Sequence, residues 1–346
     1  MKLLVTGGAG FMGSDFVRLA LEGGSHEVVV LDALTYAGNL RNLQAVDSDA
    51  RFHFVHGDIC DQEVAGGAMA GCDAVVHFAA ETHVDRSIRG DREFVRTNVE
   101  GTRVLLSAAL EAGIERFLFV STDEVYGQLP WRDPGTESTP AALARFRAGN
   151  EDFPTFFTEE SPFRPRSPYA ATKAAADHLA LAYHHTHGLP VVVTRASNNY
   201  GPYQFPEKLI PLMIRQAIEG GELPVYGDGR NVRDWLFVRD HSRGVLGALE
   251  RGEPGEAYNL GGLSERTNLE VVRGIVRELG VGEGRIRFIP DRPGHDARYA
   301  LDPGKAERVL GWAPTTHFEE GLPATVRWYK KNEAWWKRAG QADARR

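Results

Sequence analysis

The chain has 346 residues, 42% of them hydrophobic and 25% charged, with a formal net charge of −7. This is an ordinary globular composition, long enough for two lobes, and its acidic balance argues against nucleic acid or an anionic membrane as a partner. The two cysteines, Cys60 and Cys72, have neither disulfide-framework nor metal-ligand spacing. No apolar run reaches the length of a signal peptide or membrane span. We therefore expect a cytoplasmic protein without a metal.

In chain order, short apolar runs alternate with helical patterns through the first half. Continuous apolar runs predict strands buried on both faces at 2–6, 27–32, 51–58, 73–80, 116–122 and 190–197. Helical patterns lie at 11–23, 61–70, 91–112 and 168–187. Strand–helix alternation predicts an α/β fold, a Rossmann-type doubly wound parallel sheet over residues 1–200. Active sites in such sheets lie at the carboxyl ends of the strands.

The rest of the chain departs from this alternation in two places. Residues 128–167 form a Pro-rich, charged insertion with a short helix near 140–148, either a lid or a solvated excursion. Residues 201–346 are predicted to form a smaller mixed α/β lobe for the substrate, with some segments returning to the first domain. Its predicted elements are helices at 206–220, 239–251, 267–279, 302–310 and 319–338 and extended pieces at 223–227 and 235–238.

A glycine-rich segment, "TGGAGFMG", follows the first strand and opens a helix. Its glycines allow a tight turn and close approach of a pyrophosphate to the helix N-terminus. Asp32 ends the second strand, where a carboxylate bonds ribose hydroxyls and repels a 2′-phosphate, so NAD is favoured over NADP. Asp58 follows the third strand as either an adenine-side contact or a helix N-cap. The predicted cofactor residues are Gly7, Gly10, Phe11, Met12, Gly13, Asp32, Asp58, Ile59, Tyr169 and Lys173.

Tyr169 and Lys173, in "YAATK", are four residues apart and therefore share one face of a helix. An ammonium group beside a phenol favours the phenolate, which would make Tyr169 a usable base near neutral pH. With the nucleotide fingerprint and Thr122 at a strand end, these residues resemble the catalytic triad of the extended short-chain dehydrogenase/reductase family. That resemblance implies hydride transfer from a sugar hydroxyl to NAD.

Asp123 and Glu124, in "STDEVYG", follow the fifth strand as adjacent carboxylates. Once C4 of a hexose is a ketone, the C5 proton is acidic, and a base and an acid can remove it and the C6 hydroxyl as water. Two carboxylates in different environments supply that acid and that base. The pair therefore favours dehydration over epimerisation or decarboxylation on the same scaffold, and over a non-catalytic NAD-binding sensor.

Eight motifs together resemble the nucleotide-sugar 4,6-dehydratases of that family. They are "STDEVYG", "AAETHVDRSI", "SPYAATK", "SNNYGPYQFPEKLIPL", "YGDGRNVRDWLFVRDH", "YNLGG", "ERTNLEVV" and "DRPGHDARYALD". The resemblance implies Tyr169 as the C4 base, Asp123 as the C6 acid and Glu124 as the C5 base. It also implies that Thr122 holds the C4 oxygen and that Lys173 binds the nicotinamide ribose.

The same resemblance implies a substrate site for dTDP-glucose and a homodimer formed by helices 91–112 and 168–187. The implied substrate residues are His83, Asp85, Asn198, Glu207, Lys208, Leu209, Arg233, Asn268, Arg292, His295 and Tyr299. Lys208, Arg233 and Arg292 would supply the local cations that a diphosphate requires. No physical argument from the residues separates thymidine from uridine. Arg195 departs from the expected pattern, and either lies near the nicotinamide or pairs with an acid.

Overall fold

Parallel strands form the main sheet of the protein. The structure is a computed structural model that describes residues 1–149 and 155–337, and within these ranges the main sheet has seven strands. The strands of the molecule are β1 (Lys2–Thr6), β2 (Glu27–Asp32), β3 (Phe52–His56), β4 (Ala74–His77), β5 (Arg116–Thr122), β6 (Val191–Ala196), β7 (Asn198–Tyr200), β8 (Leu223–Tyr226), β9 (Val232–Phe237), β10 (Ala257–Leu260), β11 (Glu265–Thr267) and β12 (Ile286–Ile289). The main sheet runs β10-β6-β5-β4-β1-β2-β3 with every pair parallel, which confirms the predicted Rossmann-type fold.

Helices cover both faces of this sheet. They are α1 (Phe11–Glu22), α2 (Gln62–Met69), α3 (Val84–Arg89), α4 (Arg92–Phe94), α5 (Thr102–Ala112), α6 (Thr139–Arg147), α7 (Pro168–His187), α8 (Leu209–Glu219), α9 (Val238–Arg251), α10 (Asn268–Leu279), α11 (Gly304–Leu310) and α12 (Phe318–Lys331). A π-helical stretch, Val95–Gly101, joins α4 to α5. Buried side chains of α1, α9 and α11 pack on one face, and those of α2, α5 and α7 pack on the other. Burial on both faces explains why the strand sequences are continuously apolar.

The second lobe contains the remaining strands. β11, β9 and β7 form a three-stranded sheet, and β12 pairs with β8. Its core combines buried side chains of α8, α10 and α12 with Trp235 and Trp336. The main sheet also packs with α9 and β10, which follow β9, and with α11, which follows β12. The chain therefore crosses between the lobes more than once.

Several predicted elements differ from the observed ones. β3 is the edge strand, so its side chains are only partly buried, although we predicted burial on both faces. The short strands β7, β11 and β12, of three or four residues, and the six-residue helix α3 were not predicted, because such short segments carry too little periodicity. The helix predicted over 319–338 is α12 as far as Lys331, followed by a turn at Asn332 and further helix at 333–337; residue 338 lies outside the described residues.

The insertion 128–167 is packed against the second lobe where it is described, at 128–149 and 155–167. Its predicted helix is α6, and Leu129, Leu143 and Phe157 are buried in a cluster with Tyr299. Phe157 also forms backbone hydrogen bonds with residues 300 and 302. The insertion is therefore not the solvated excursion we considered, and none of its described residues lines the cavity that a lid would cover.

Candidate functional site

The site is a cavity of about 320 Å³ at the carboxyl ends of the strands of the main sheet. Of the predicted cofactor residues, those lining it are Gly7, Gly10, Phe11, Met12, Gly13, Asp32, Asp58, Ile59 and Tyr169. Of the other predicted catalytic and substrate residues, those lining it are Thr122, Asp123, Glu124, Asn198, Glu207 and Lys208. The cavity thus contains both predicted cofactor residues and predicted catalytic and substrate residues.

The glycine-rich turn at the start of α1 leaves no room for side chains. Gly7 has φ +70°, which disfavours residues with a Cβ, and a Cβ there would lie 2.6 Å from the Ala79 nitrogen. A Cβ on Gly13 would lie 2.3 Å from the Gly7 carbonyl oxygen. The first turn of α1 also carries no acidic side chain, so its free N–H groups favour an anion.

Two carboxylates lie at the adenosine side of the cavity. Asp32 accepts hydrogen bonds from the backbone of Ala9 at 2.9 Å and Leu34 at 2.8 Å, so it also fixes the glycine-rich turn. Asp58 forms an ion pair with Arg96 at 2.8 Å. The N-cap of α2 is Asp61, so the N-cap interpretation of Asp58 is wrong.

The acid pair lies in a single 3-10 turn, Asp123–Tyr126, directly after β5. The Thr122 hydroxyl accepts from the Glu124 backbone and donates to Asp123 Oδ1, each at 3.3 Å. Asp123 is 2% exposed, and its Oδ2 has no hydrogen-bond partner among the described residues. A buried, partnerless carboxyl oxygen is expensive unless it is protonated or used by a ligand.

The environments of the two carboxyl groups differ. Burial raises the pKa of Asp123 well above its usual value, and the charge of Glu124 raises it further. Burial also raises the pKa of Glu124, but Arg292, Lys208 and Arg233 oppose that shift. The arrangement therefore favours a protonated Asp123 beside an ionised Glu124.

Tyr169 and Lys173 share the inner face of α7, but their pKa values do not follow our expectation. Burial and the charge of Glu124 raise the pKa of Tyr169, although a hydrogen bond with Thr122 opposes this. Burial lowers the pKa of Lys173 to about 7, and its Nζ donates to the Val120 carbonyl at 2.7 Å. In this arrangement Lys173 does not favour the phenolate, and it lies behind the cavity rather than lining it.

Predicted substrate residues also connect the two lobes. Arg292 donates to Asp85 at 3.1 Å, and Tyr226, which sequence reasoning missed, donates to the same carboxylate at 2.9 Å. Burial raises the pKa of Asp85, but these two contacts outweigh it and lower the pKa.

Lys208, at the start of α8, donates to the Thr82 carbonyl at 2.7 Å. His83 lies 3.6 Å from Glu207, and burial and Lys208 lower the pKa of His83 to about 4.

The remaining predicted substrate residues lie outside the cavity lining. Arg233 is 5% exposed, donates to the Asp296 carbonyl at 3.0 Å and lies 4.5 Å from the centre of the Tyr299 ring. His295 pairs with Asp291 at 2.6 Å. Leu209 and Asn268 begin α8 and α10. The positive charges of Arg292 and Arg233 both oppose the burial that raises the pKa of Glu124.

The chain is similar in sequence to known proteins. Residues 3–261 match the NAD dependent epimerase/dehydratase family. The chain belongs to that family. It is 51% identical over 342 residues to a dTDP-glucose 4,6-dehydratase of Streptomyces niveus, covering 97% of this chain and 95% of that protein. The predicted resemblance to nucleotide-sugar 4,6-dehydratases is therefore confirmed.

Solved structures of the epimerase/dehydratase family agree with this fold. A double mutant of the dTDP-glucose 4,6-dehydratase DesIV from Streptomyces venezuelae, solved with NAD bound, gives a TM-score of 0.90 at 49% identity and covers 98% of this chain and 100% of that chain. A UDP-glucose 4-epimerase from Thermotoga maritima gives 0.83 at 29% identity, covering 96% and 100%. The chain is thus more similar to that dehydratase than to that epimerase.

The residues of the cavity fit NAD. The side-chain-free cradle at Gly7 and Gly13 accepts a pyrophosphate, and the Asp32 carboxylate suits ribose hydroxyls rather than a 2′-phosphate. Family membership and the NAD-bound dehydratase support the same cofactor.

The motif "AAETHVDRSI" follows β4, but the sequence predicted no role for the segment 78–82. Phe78, Ala79, Ala80, Glu81 and Thr82 line the cavity. Asn98 holds the segment, because its side chain bonds both backbone groups of Glu81 and the Thr172 hydroxyl. The rule that sites follow the carboxyl ends of parallel strands would have pointed to this segment.

The structure decides between the two alternatives for Arg195. Its guanidinium donates to both oxygens of Asp177 at 2.9 Å, and it is not among the residues that line the cavity. Arg195 therefore pairs with an acid.

Proposed function

We propose that the protein is a dTDP-glucose 4,6-dehydratase, a hydro-lyase that forms dTDP-4-keto-6-deoxyglucose for deoxysugar biosynthesis. The observation that carries this proposal is the position of Asp123 and Glu124 in the same cavity as Tyr169 and the NAD cradle. Epimerisation at C4 needs no acid pair to eliminate water. The 51% identity to a dTDP-glucose 4,6-dehydratase supports the same conclusion.

NAD held by the predicted cofactor residues would supply the hydride acceptor for C4 of the sugar and the hydride donor for C6, so the overall reaction would consume no external oxidant. The cofactor residues proposed are the glycines of the cradle with Phe11 and Met12, Asp32, Asp58 and Ile59, and Tyr169 and Lys173 at the nicotinamide end. Lys173 would exchange the Val120 carbonyl for a ribose hydroxyl.

We assign the proton transfers to the residues around the acid pair. Tyr169 would take the C4 hydroxyl proton as a phenolate, which requires the Lys173 ammonium to leave the Val120 carbonyl and stand beside the phenol, while Thr122 holds the C4 oxygen. Glu124, ionised under the influence of nearby cations, removes the C5 proton. Asp123, kept protonated by burial, donates its proton to the C6 hydroxyl, and the C6–O bond breaks with release of water. Glu124 then returns its proton to C5 as the hydride reaches C6, the proton that Tyr169 accepted leaves to solvent, and solvent reprotonates Asp123.

Substrate binding is assigned to the junction of the lobes. Lys208, Arg233 and Arg292 meet the diphosphate, with three cations from three separate segments of an acidic chain. The other substrate residues proposed are His83, Asp85, Asn198, Glu207, Leu209, Asn268, His295 and Tyr299. Thymidine is proposed from the name of the relative, since no side-chain contact here distinguishes it from uridine.

A homodimer is proposed on the exposed side of α7. Ala171, Ala175 and Ala182 are exposed on it at helical spacing, and Ile88 and Val95 on the neighbouring helices are 39% and 50% exposed. Small residues on one helix face allow a second copy to approach closely.

A cytoplasmic location is proposed from the two free cysteines, Cys60 and Cys72. No helix in the described ranges is long and apolar enough to cross a membrane.

The test is to incubate the purified protein with dTDP-glucose and, separately, with UDP-glucose, without added NAD. We expect the alkali-revealed absorbance of a 4-keto-6-deoxy sugar with dTDP-glucose. Tyr169→Phe should retain NAD and form no product. Product only from UDP-glucose would change the nucleotide, and no product from either substrate would contradict the dehydratase.

A further inference from the structure

A buried arginine outside the cavity lining links two elements that carry proposed catalytic residues. Arg195, on β6, is 3% exposed, and its Nε and Nη2 donate to the two oxygens of Asp177, each at 2.9 Å. Its Nη1 donates to the Tyr126 hydroxyl at 2.9 Å, and that hydroxyl donates to Asn259 at 2.9 Å. We call Arg195, Asp177 and Tyr126 the Arg195 cluster.

The members of the cluster belong to the elements that carry the proposed acid and base groups. Tyr169, Lys173 and Asp177 follow one another at intervals of four on α7 and therefore share one face of that helix. Tyr126 is the last residue of the 3-10 turn that begins with Asp123. Arg195 thus links the helix bearing the tyrosine to the turn bearing the acid pair.

The insertion closes the cluster on its outer side. The Glu159 carbonyl accepts from Arg195 Nη1 at 3.4 Å, and the Glu159 carboxylate accepts from the Asn259 backbone at 2.8 Å. The Phe163 ring centre lies 4.7 Å from the guanidinium carbon. The cluster is not part of the cavity lining. Arg195, Asp177 and Tyr126 are each at most 3% exposed, so we infer that they act through the residues that line the cavity.

We propose that the Arg195 cluster holds the acid-bearing turn at a fixed distance from α7, so that elimination at C5 and C6 follows oxidation at C4 on the same bound sugar. Its residues are positioning residues, since proton transfer requires donor and acceptor within hydrogen-bond reach. This inference rests on the proposed dehydratase function. It assigns to the insertion the task of shielding the cluster from water.

The test is Tyr126→Phe, which removes the hydroxyl but keeps the ring and the Arg195–Asp177 ion pair. In a single turnover of NAD-loaded protein with dTDP-glucose, the near-ultraviolet absorbance of reduced nicotinamide should appear and then decay. We expect the variant to reach the reduced state at nearly the wild-type rate and to decay on the order of tenfold more slowly, because small misplacements slow proton transfer. KM should be unchanged while kcat falls.

Tyr258→Phe is the matched control. Tyr258 is also fully buried, but its hydroxyl bonds the Glu253 backbone and not the acid-bearing turn. We expect both phases to be unchanged in this variant. Arg195→Lys breaks the bond to Tyr126 from the other side while keeping a cation beside Asp177, and should reproduce the slow decay.

The outcomes separate this inference from the proposed function. If wild-type protein reduces no cofactor with dTDP-glucose, the dehydratase assignment fails and the inference fails with it. If the wild type shows both phases and Tyr126→Phe decays at the wild-type rate, only the inference is overturned. Equal slowing of both phases, with a lower melting temperature, would assign the cluster a purely structural role and overturn it as well.

Discussion

At the scale of single residues, the proposed chemistry depends on the different environments of two adjacent carboxyl groups. Asp123 is buried with one oxygen unpartnered in the described part of the chain, whereas Glu124 lies near three cations. Sequence adjacency predicted the pair but gave no environment for either member. The cations come from positions 208, 233 and 292, so only the folded chain could show which carboxyl group stays ionised.

Asp123→Asn and Glu124→Gln should separate elimination from oxidation. Each amide keeps the size of the side chain but cannot serve as proton donor or base, so we expect dehydration to fall by roughly 10²- to 10⁴-fold. Transient reduced nicotinamide should still form, since Tyr169 is intact. Stopped-flow absorbance with dTDP-glucose measures both steps. Normal dehydration by both variants would make the pair structural.

A second residue-scale prediction concerns acid stability. His241 is fully buried, neither ring nitrogen has a partner among the described residues, and burial lowers its pKa to about 3. Between the ordinary pKa of about 6.5 and that value, the unfolded chain binds a proton that the folded protein excludes. The free energy of unfolding should therefore fall as the pH drops, by up to about 3 kcal/mol between pH 7 and pH 4.

His241→Leu should remove the contribution of His241 and leave that of His77, His83 and His295, whose pKa values burial also lowers. Urea unfolding at a series of pH values from 7 to 4 measures the pH dependence, with His185→Leu, an exposed position on α7, as the control. An unchanged slope in His241→Leu would show that other groups cause the acid sensitivity.

At the scale of elements, the glycine-rich turn and α1 form the unit proposed to bind the pyrophosphate of NAD. The sequence predicted it, because glycines at that spacing after a strand have one principal structural use. The short elements β7, β11 and α3 could not be predicted, since tertiary contacts rather than local periodicity stabilise them.

Gly13→Ala should abolish retention of NAD during purification. A Cβ at Gly13 would lie 2.3 Å from the Gly7 carbonyl oxygen, so the turn must open and lose its cradle. Gly66→Ala is the matched control in the interior of α2, where a Cβ would meet nothing within 4 Å. That control should keep NAD and gain roughly 0.5–1 kcal/mol of stability. Full NAD content in Gly13→Ala would contradict the assignment of the cradle.

At the scale of the whole molecule, the site requires both lobes. Arg292 bonds Asp85 across 207 residues of sequence, and Lys208 reaches the segment after β4. Such long-range contacts would bring the cations proposed for an anionic substrate together in a protein whose net charge is −7.

The proposed homodimer gives a prediction at this scale. Val95→Glu with Ala175→Glu would place four carboxylates in the interface, so we expect a monomer by sedimentation equilibrium. Phe288→Glu, at a 58% exposed position on β12 in the other lobe, should leave the mass unchanged. A double variant that keeps the wild-type mass would place any interface elsewhere.

The sequence by itself determined the parallel sheet, the NAD cradle and the adjacent acid pair. These follow from local signals: continuous apolar runs, glycine spacing, and polar residues directly after strands. Only the tertiary structure decided that Arg195 pairs with Asp177, that the insertion is packed, and that Lys173 donates to Val120. Those outcomes depend on contacts between distant segments, and local sequence does not specify which buried charge meets which partner.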